Sequence, residues 1–301
     1  MRARNYYRKR PSPWPRRILA ALLTGMLAYA AVSLIRYGVQ QQQSRAIQEE
    51  LQAAICTEMP VDTPIVTAPP AAQEQNTPAF TSVPRPSATP TLEPWRTPEI
   101  LFAYQSLYEK NNDLIGWLKM DRLYRVDFAV VQRDQAYYLR RDFYGKSNMN
   151  GTAFLDAANR IWPRDDNLII YAHNMKSGEM FGELKKLMNE VYYREAPLTR
   201  FNTIYERGTY VPVAVVLCTV AQGDEFFNFY TRSFRNAAEF NRFIDRAREL
   251  SKVHPPYDVR YGDDLLTLVT CYDDADTQRL VVILRRVRDD EDPAVLAVRW
   301  K

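Results

Sequence analysis

The chain has few of the residues that build cross-links or shuttle protons: 301 residues hold three cysteines and two histidines. Three cysteines cannot make a disulfide framework, least of all if one of them serves as a nucleophile. Of the histidines, His254 stands before Pro255-Pro256 and suits a loop. His173 therefore remains as the candidate acid/base. Net charge is small, +4, and gives no case for a nucleic-acid partner. The one dense acidic run, Asp289–Asp292, reads as a solvated tail rather than a ligand set, so neither a metal nor a cofactor is expected. What is present in quantity is apolar: 46% of residues are hydrophobic and 25% charged. A folded region of roughly 200 residues of this composition buries a large core unaided.

Acid is missing altogether from residues 1–17, which carry Arg2, Arg4, Arg8, Lys9, Arg10, Arg16 and Arg17. The uncharged run Ile18–Ile35 follows. As a helix it measures roughly 27 Å, close to the thickness of a bilayer core. The excess of positive charge before it predicts a cytoplasmic N-terminus and an extracellular remainder. Ala28-Tyr29-Ala30 fits a signal-peptidase site, but the apolar run continues past it to Ile35, which favours an uncleaved anchor over 18–38. Residues 39–56, with Ile47, Leu51 and Ile55 four apart, predict a juxtamembrane helix. Cys56 opens the Pro/Thr-rich stretch and reads as an exposed, unpaired thiol. Residues 57–97 are rich in Pro, Thr, Ala and Ser and too poor in apolar groups to fold, so they predict an extended linker. The folded domain is expected over 98–301, opening with a helix capped by Thr97 with Pro98 at its first position.

The chemistry concentrates at three apolar runs. Leu265–Thr270 ends at Cys271; Arg279 opens Leu280–Leu284; Leu168–Tyr171 is followed by His173. Taken singly, a cysteine at a strand end is most often a buried apolar side chain, and that is the reading of Cys218 inside Val213–Val220. Together, a thiol, a permanent cation and a titratable imidazole at strand ends are the set that acyl transfer through a thioester requires. Asp273, two residues past the thiol, is a candidate to orient His173. Asn174 and Thr270, which flank the histidine and the cysteine, are further supporting candidates.

Further strands are expected at Phe128–Gln132, Thr152–Leu155 and Tyr210–Val220, and helices at Gly178–Glu190 and, capped by Asn236 and Glu239, at Ala237–Leu250. The fold class is mainly β, a closed or nearly closed antiparallel-rich barrel with peripheral helices.

The motifs Thr267-Leu268-Val269-Thr270-Cys271, Arg279 and Tyr171-Ala172-His173-Asn174-Met175 occur with Gly116-Trp117-Leu118-Lys119, Tyr137-Tyr138-Leu139, Gly151-Thr152-Ala153-Phe154-Leu155-Asp156 and Met180-Phe181-Gly182. As a set, in order over roughly 99–288, they resemble the class B sortases, cysteine transpeptidases of Gram-positive surfaces. Ala172 departs from the glycine usual before the histidine; a β-region backbone accommodates it. The resemblance implies an eight-stranded barrel and a His173, Cys271, Arg279 catalytic set. It also implies donors that are secreted proteins with an Asn-Pro-x-Thr-Asn-like sorting signal, and as acceptor a peptidoglycan amine or, alternatively, a pilin lysine. An L,D-transpeptidase would carry Ser-x-Gly-Cys where this chain has Leu268-Val269-Thr270-Cys271. A non-enzymatic stalked adhesin would have no need of the three residues.

Overall fold

The computed structural model describes residues 14–58 and 97–298, save 196–197, 222 and 273–276. The basic segment 1–13, most of the expected linker (59–96) and Asp273 thus lie outside the described residues.

The first element is a single helix, α1 (Trp14–Glu58). After Pro15, which falls in the tolerated first turn, no proline interrupts the sequence until Pro60, so nothing divides an apolar helix from a juxtamembrane one. Within Arg17–Ile55 lies a window long and apolar enough to cross a membrane, with none of its residues buried. The chain falls into two compact units, with the boundary after Ile47. The last turns of α1 therefore belong with the barrel, where Leu51 and Ile55 are buried. Gln48 and Gln52 donate to the Asp127 carbonyl, the latter at 2.8 Å, and Glu50 meets Lys110 at 3.3 Å and the Tyr144 hydroxyl at 2.8 Å.

The barrel has eight strands: β1 (Leu114–Met120), β2 (Asp127–Val131), β3 (Ala153–Leu155), β4 (Asn167–Tyr171), β5 (Thr199–Thr203), β6 (Thr209–Thr219), β7 (Leu265–Cys271) and β8 (Gln278–Arg286). It closes in the order β1-β2-β3-β4-β7-β8-β6-β5. The pairs β2/β3 and β4/β7 are parallel and the others antiparallel. Leu168, Ile170, Leu266, Leu268, Leu280 and Val282 fill the interior with Leu118 and Phe128. The alternate residues Ile169, Val269, Val281 and Cys218 form a second cluster outside the barrel, with Phe227, Phe229 and Phe234. Burial on both faces makes β6, β7 and β8 read as nearly unbroken apolar runs rather than alternating ones.

The second cluster is roofed by α4 (Ala237–Glu249), whose Phe240, Phe243, Ile244 and Ala247 are buried as their spacing predicts. Asn236 accepts the Glu239 amide at 3.0 Å. The other half of the cap is shifted by one residue: the Glu239 carboxylate takes the Arg235 amide at 3.1 Å.

Two expected helices differ. The first, α2 (Phe102–Lys110), starts at Phe102 rather than near Pro98, because the Leu101 amide is engaged by the Ile204 carbonyl at 2.8 Å with Leu101 extended. The helix expected over 178–190 is instead a tight loop, a 3-10 turn at Leu184–Met188 and a short α3 (Glu190–Glu195). Met180 has a positive φ of 54°, and a Cβ on Gly182 would collide with the Met175 carbonyl, so the chain here doubles back instead of coiling.

Glu291 does not belong to a solvated tail. The guanidinium of Arg285, fully buried in β8, donates to both Glu291 oxygens at 2.5 and 2.7 Å and to the Asp258 carbonyl at 2.7 Å. These charge-assisted bonds pull the Glu291 carboxyl down to about 2. A depressed carboxylate contributes stability above its unfolded value that is lost as pH falls toward the folded one. Glu291→Gln should therefore lower stability by roughly 3 kcal/mol near neutrality, leaving the buried cation only the more distant and more exposed Asp258 carboxylate at 3.6 Å. Thermal unfolding of both proteins should show that gap shrinking from about pH 4.5 downward; a gap independent of pH would mean the pair is not the cause.

Candidate active site

β7 and β8 are antiparallel neighbours with Cys271 and Arg279 as direct Cα partners. Directly opposed residues project from the same face of a sheet. On the other side of β8, Arg279 is the partner of Cys218 on β6. The arginine thus sits in a row between two cysteines, on the outer face of the barrel. β4 runs parallel to β7 with Tyr171 opposite Val269. Two residues further on, just past the end of β4, His173 comes to the same end of the sheet as Cys271, the last residue of β7. The Tyr272 amide bonds the Gln278 carbonyl at 3.0 Å, beyond the Cys271–Arg279 pair.

The two cysteines differ in what surrounds them. Cys218 has no exposed surface, and its Sγ donates to the Arg279 carbonyl at 3.7 Å. Burial pushes its thiol up to about 11, with the Arg279 charge only partly opposing the shift. A thiol held protonated in apolar surroundings is inert. Cys271, at the strand terminus, is half-buried. His173 and Arg279 are also half-buried.

Supporting contacts tie the histidine strand to the cysteine strand. The Thr270 hydroxyl donates to the Ala172 carbonyl at 2.7 Å, and the Asn174 amide to the Tyr272 carbonyl at 3.4 Å. Ala172 has no left-handed backbone; among the described residues only Met180 does so without being glycine. The His173 carbonyl takes the Phe181 amide at 2.9 Å, which closes the loop. The ring's Nε2 lies 2.7 Å from the Leu139 carbonyl oxygen. Thr270 and Asn174, singled out from the sequence, are thus brought to the histidine's strand end, while Asp273 lies outside the described residues. The Leu139 contact was not anticipated: a main-chain oxygen leaves no side-chain signature, and only the clustering of Tyr137-Tyr138-Leu139 with the other motifs hinted at it. His254 is exposed and far along the chain, and its amide bonds Glu190 at 3.3 Å. Among the described residues no group of three His, Cys, Asp or Glu is placed to hold a metal.

The family model described as Sortase domain matches residues 118–287. Sortase B of Staphylococcus aureus is 24% identical over 188 residues, covering 62% of this chain and 75% of the relative. Sortase B of Listeria monocytogenes is 26% identical over 182 residues, covering 60% and 72%. The solved Staphylococcus aureus sortase B-substrate complex superposes with a TM-score of 0.65 at 20% identity, over 84% of this chain and all of that one.

Proposed function

Because the chain belongs to the sortase family and is, like its class B relatives, a cysteine transpeptidase, we propose that it cleaves an Asn-Pro-x-Thr-Asn-like sorting signal of secreted proteins through a thioester on Cys271 and transfers them to a peptidoglycan amine. The observation that carries the assignment of roles is the pairing of Cys271 with Arg279 across β7 and β8. The sorting-signal donor rests on the motifs shared with the class B sortases.

The chemistry follows from each group. The Cys271 thiolate attacks a backbone carbonyl of the signal, and Arg279 donates to the oxygen as charge develops on it. The guanidinium stays protonated and cannot act as a base. The carbon–nitrogen bond breaks as His173, as imidazolium, protonates the leaving amine. In the second half, the acceptor amine attacks the thioester and gives its proton to His173. The carbon–sulfur bond breaks and a new amide forms. One amide replaces another, so no nucleotide is consumed.

The basic residues before the apolar window of α1 support a reading in which the barrel is on the outer side of the membrane. One experiment addresses activity, acceptor and orientation together. Cells carrying the full chain receive an external Asn-Pro-x-Thr-Asn peptide with a glycyl or a lysyl amine. Intact cells should cleave the peptide and join it to the glycyl amine. Processing only after lysis would refute the orientation, failure to join the peptide to either amine would refute transfer to a free wall amine, and no processing at all would refute the activity.

A further inference from the structure

We infer that Gly151 is a positioning residue for His173: lacking a Cβ, it lets the Leu139 carbonyl hold the imidazole Nε2–H, so that Nδ1 is the nitrogen that serves the thiol and the leaving amine. The inference rests on the transpeptidase reading for the role of the ring and on geometry for the rest. Leu139 lies in a 3-10 turn, Tyr137–Arg140. The carbonyls on either side of it are tied to the segment that follows: Tyr138 accepts the Thr152 amide at 3.0 Å and Arg140 the Asn148 amide at 3.0 Å. The Leu139 oxygen is directed instead at His173, 2.7 Å from Nε2. A carbonyl only accepts, so Nε2 carries the hydrogen. The neutral ring then presents a lone pair at Nδ1, and the imidazolium presents its transferable proton there.

Gly151 packs against this carbonyl. Its φ is +63°, and a Cβ placed on it would lie 2.6 Å from the Leu139 oxygen and 2.6 Å from the Tyr138 oxygen. Both are main-chain atoms that no rotamer change can move. An alanine must therefore push away the group that orients the histidine. Gly262 provides the contrast: its φ is +97°, but nothing lies within 4 Å of where its Cβ would be. Alanine there brings backbone strain without touching the site.

The test uses the full chain in detergent micelles, labelled with 15N-histidine, His254 being identified by its own substitution. At a pH where the ring is neutral, wild-type His173 should be the Nε2–H tautomer. Gly151→Ala should lose that single tautomer and lose kcat by roughly a hundredfold, the scale of a misplacement of about 1 Å, with KM near its wild-type value. Gly262→Ala should match wild type in both. A wild-type Nδ1–H tautomer overturns the inference even if Gly151→Ala fails to fold. So does a folded Gly151→Ala protein with wild-type tautomer and turnover. Absence of wild-type peptide turnover would instead fail the transpeptidase reading and leave the tautomer result standing.

Discussion

Cys271→Ala is expected to lower peptide cleavage by more than about three orders of magnitude, as loss of a covalent nucleophile does, with the fold intact. Position 271 is the last residue of β7, half-buried, so shortening its side chain opens no sealed cavity. Cys218 gives the internal comparison, because it shares the face and the same arginine neighbour. Its thiol, pushed up to about 11 by burial, is held in the unreactive form. Cys218→Ala should keep turnover while losing about 1 kcal/mol of stability as a small core truncation. Mass spectrometry of wild type with excess peptide should find an acyl adduct on Cys271 alone. Cleavage by Cys271→Ala at the wild-type rate, or an adduct on Cys218, would reject the assignment.

What could be read from the sequence and what could not divides along physical lines. β6, β7 and β8 are covered on both faces, by the barrel interior and by α4, so their apolar runs are long and bounded by polar residues. The positions of Cys271 and Arg279 at their ends followed from those bounds. β5 closes the barrel between β1 and β6 yet reads Thr199-Arg200-Phe201-Asn202-Thr203, with one apolar side chain; only its partners make it a strand. The stripe of Leu51 and Ile55 was visible, but not that the surface it covers is the side of the barrel. The helix expected at 178–190 failed because spacing of apolar residues says nothing about Gly182, whose close approach to the Met175 carbonyl bends the chain. Likewise the acidity of Asp289–Asp292 hid the buried partner of Glu291, since Arg285 sits in what reads as an ordinary amphipathic strand end.

The histidine's partner shows the same limit at the site itself. Asp273, the side chain the sequence offered, lies outside the described residues; among the described residues the ring meets a main-chain oxygen, which composition cannot signal. Gly151 is the one residue in that stretch whose identity carries the information, because its positive φ and the two oxygens against it exclude a Cβ.

Arg279→Lys should be severely impaired, although it keeps the charge. Arg279 is fixed by its place opposite Cys271 in β8, and its Nη1 is already engaged with the Gln278 carbonyl at 3.2 Å. The planar fork can hold one main-chain group with one nitrogen and aim others at the oxygen of the attacked carbonyl. A lysine ammonium on a flexible stem can supply a charge but not that fixed direction. The expected cost is on the order of 3 kcal/mol, as for removal of an oxyanion donor, or roughly a hundredfold in kcat/KM. Arg279→Ala should fall at least as far. Because the guanidinium stays charged across the working range, neither variant removes a titrating group, so the pH profile of cleavage should keep its shape even where Arg279→Ala takes a charge from beside the thiol, whereas substitution of His173 should change that shape. Steady-state cleavage by Arg279→Lys, Arg279→Ala and wild type over roughly pH 5 to 9, a span that brackets the ordinary histidine and cysteine values, measures both effects. Near wild-type turnover of Arg279→Lys would show that a point charge suffices. Full activity of both would reduce Arg279 to a solvated charge at a strand start, leaving oxyanion stabilisation to main-chain amides.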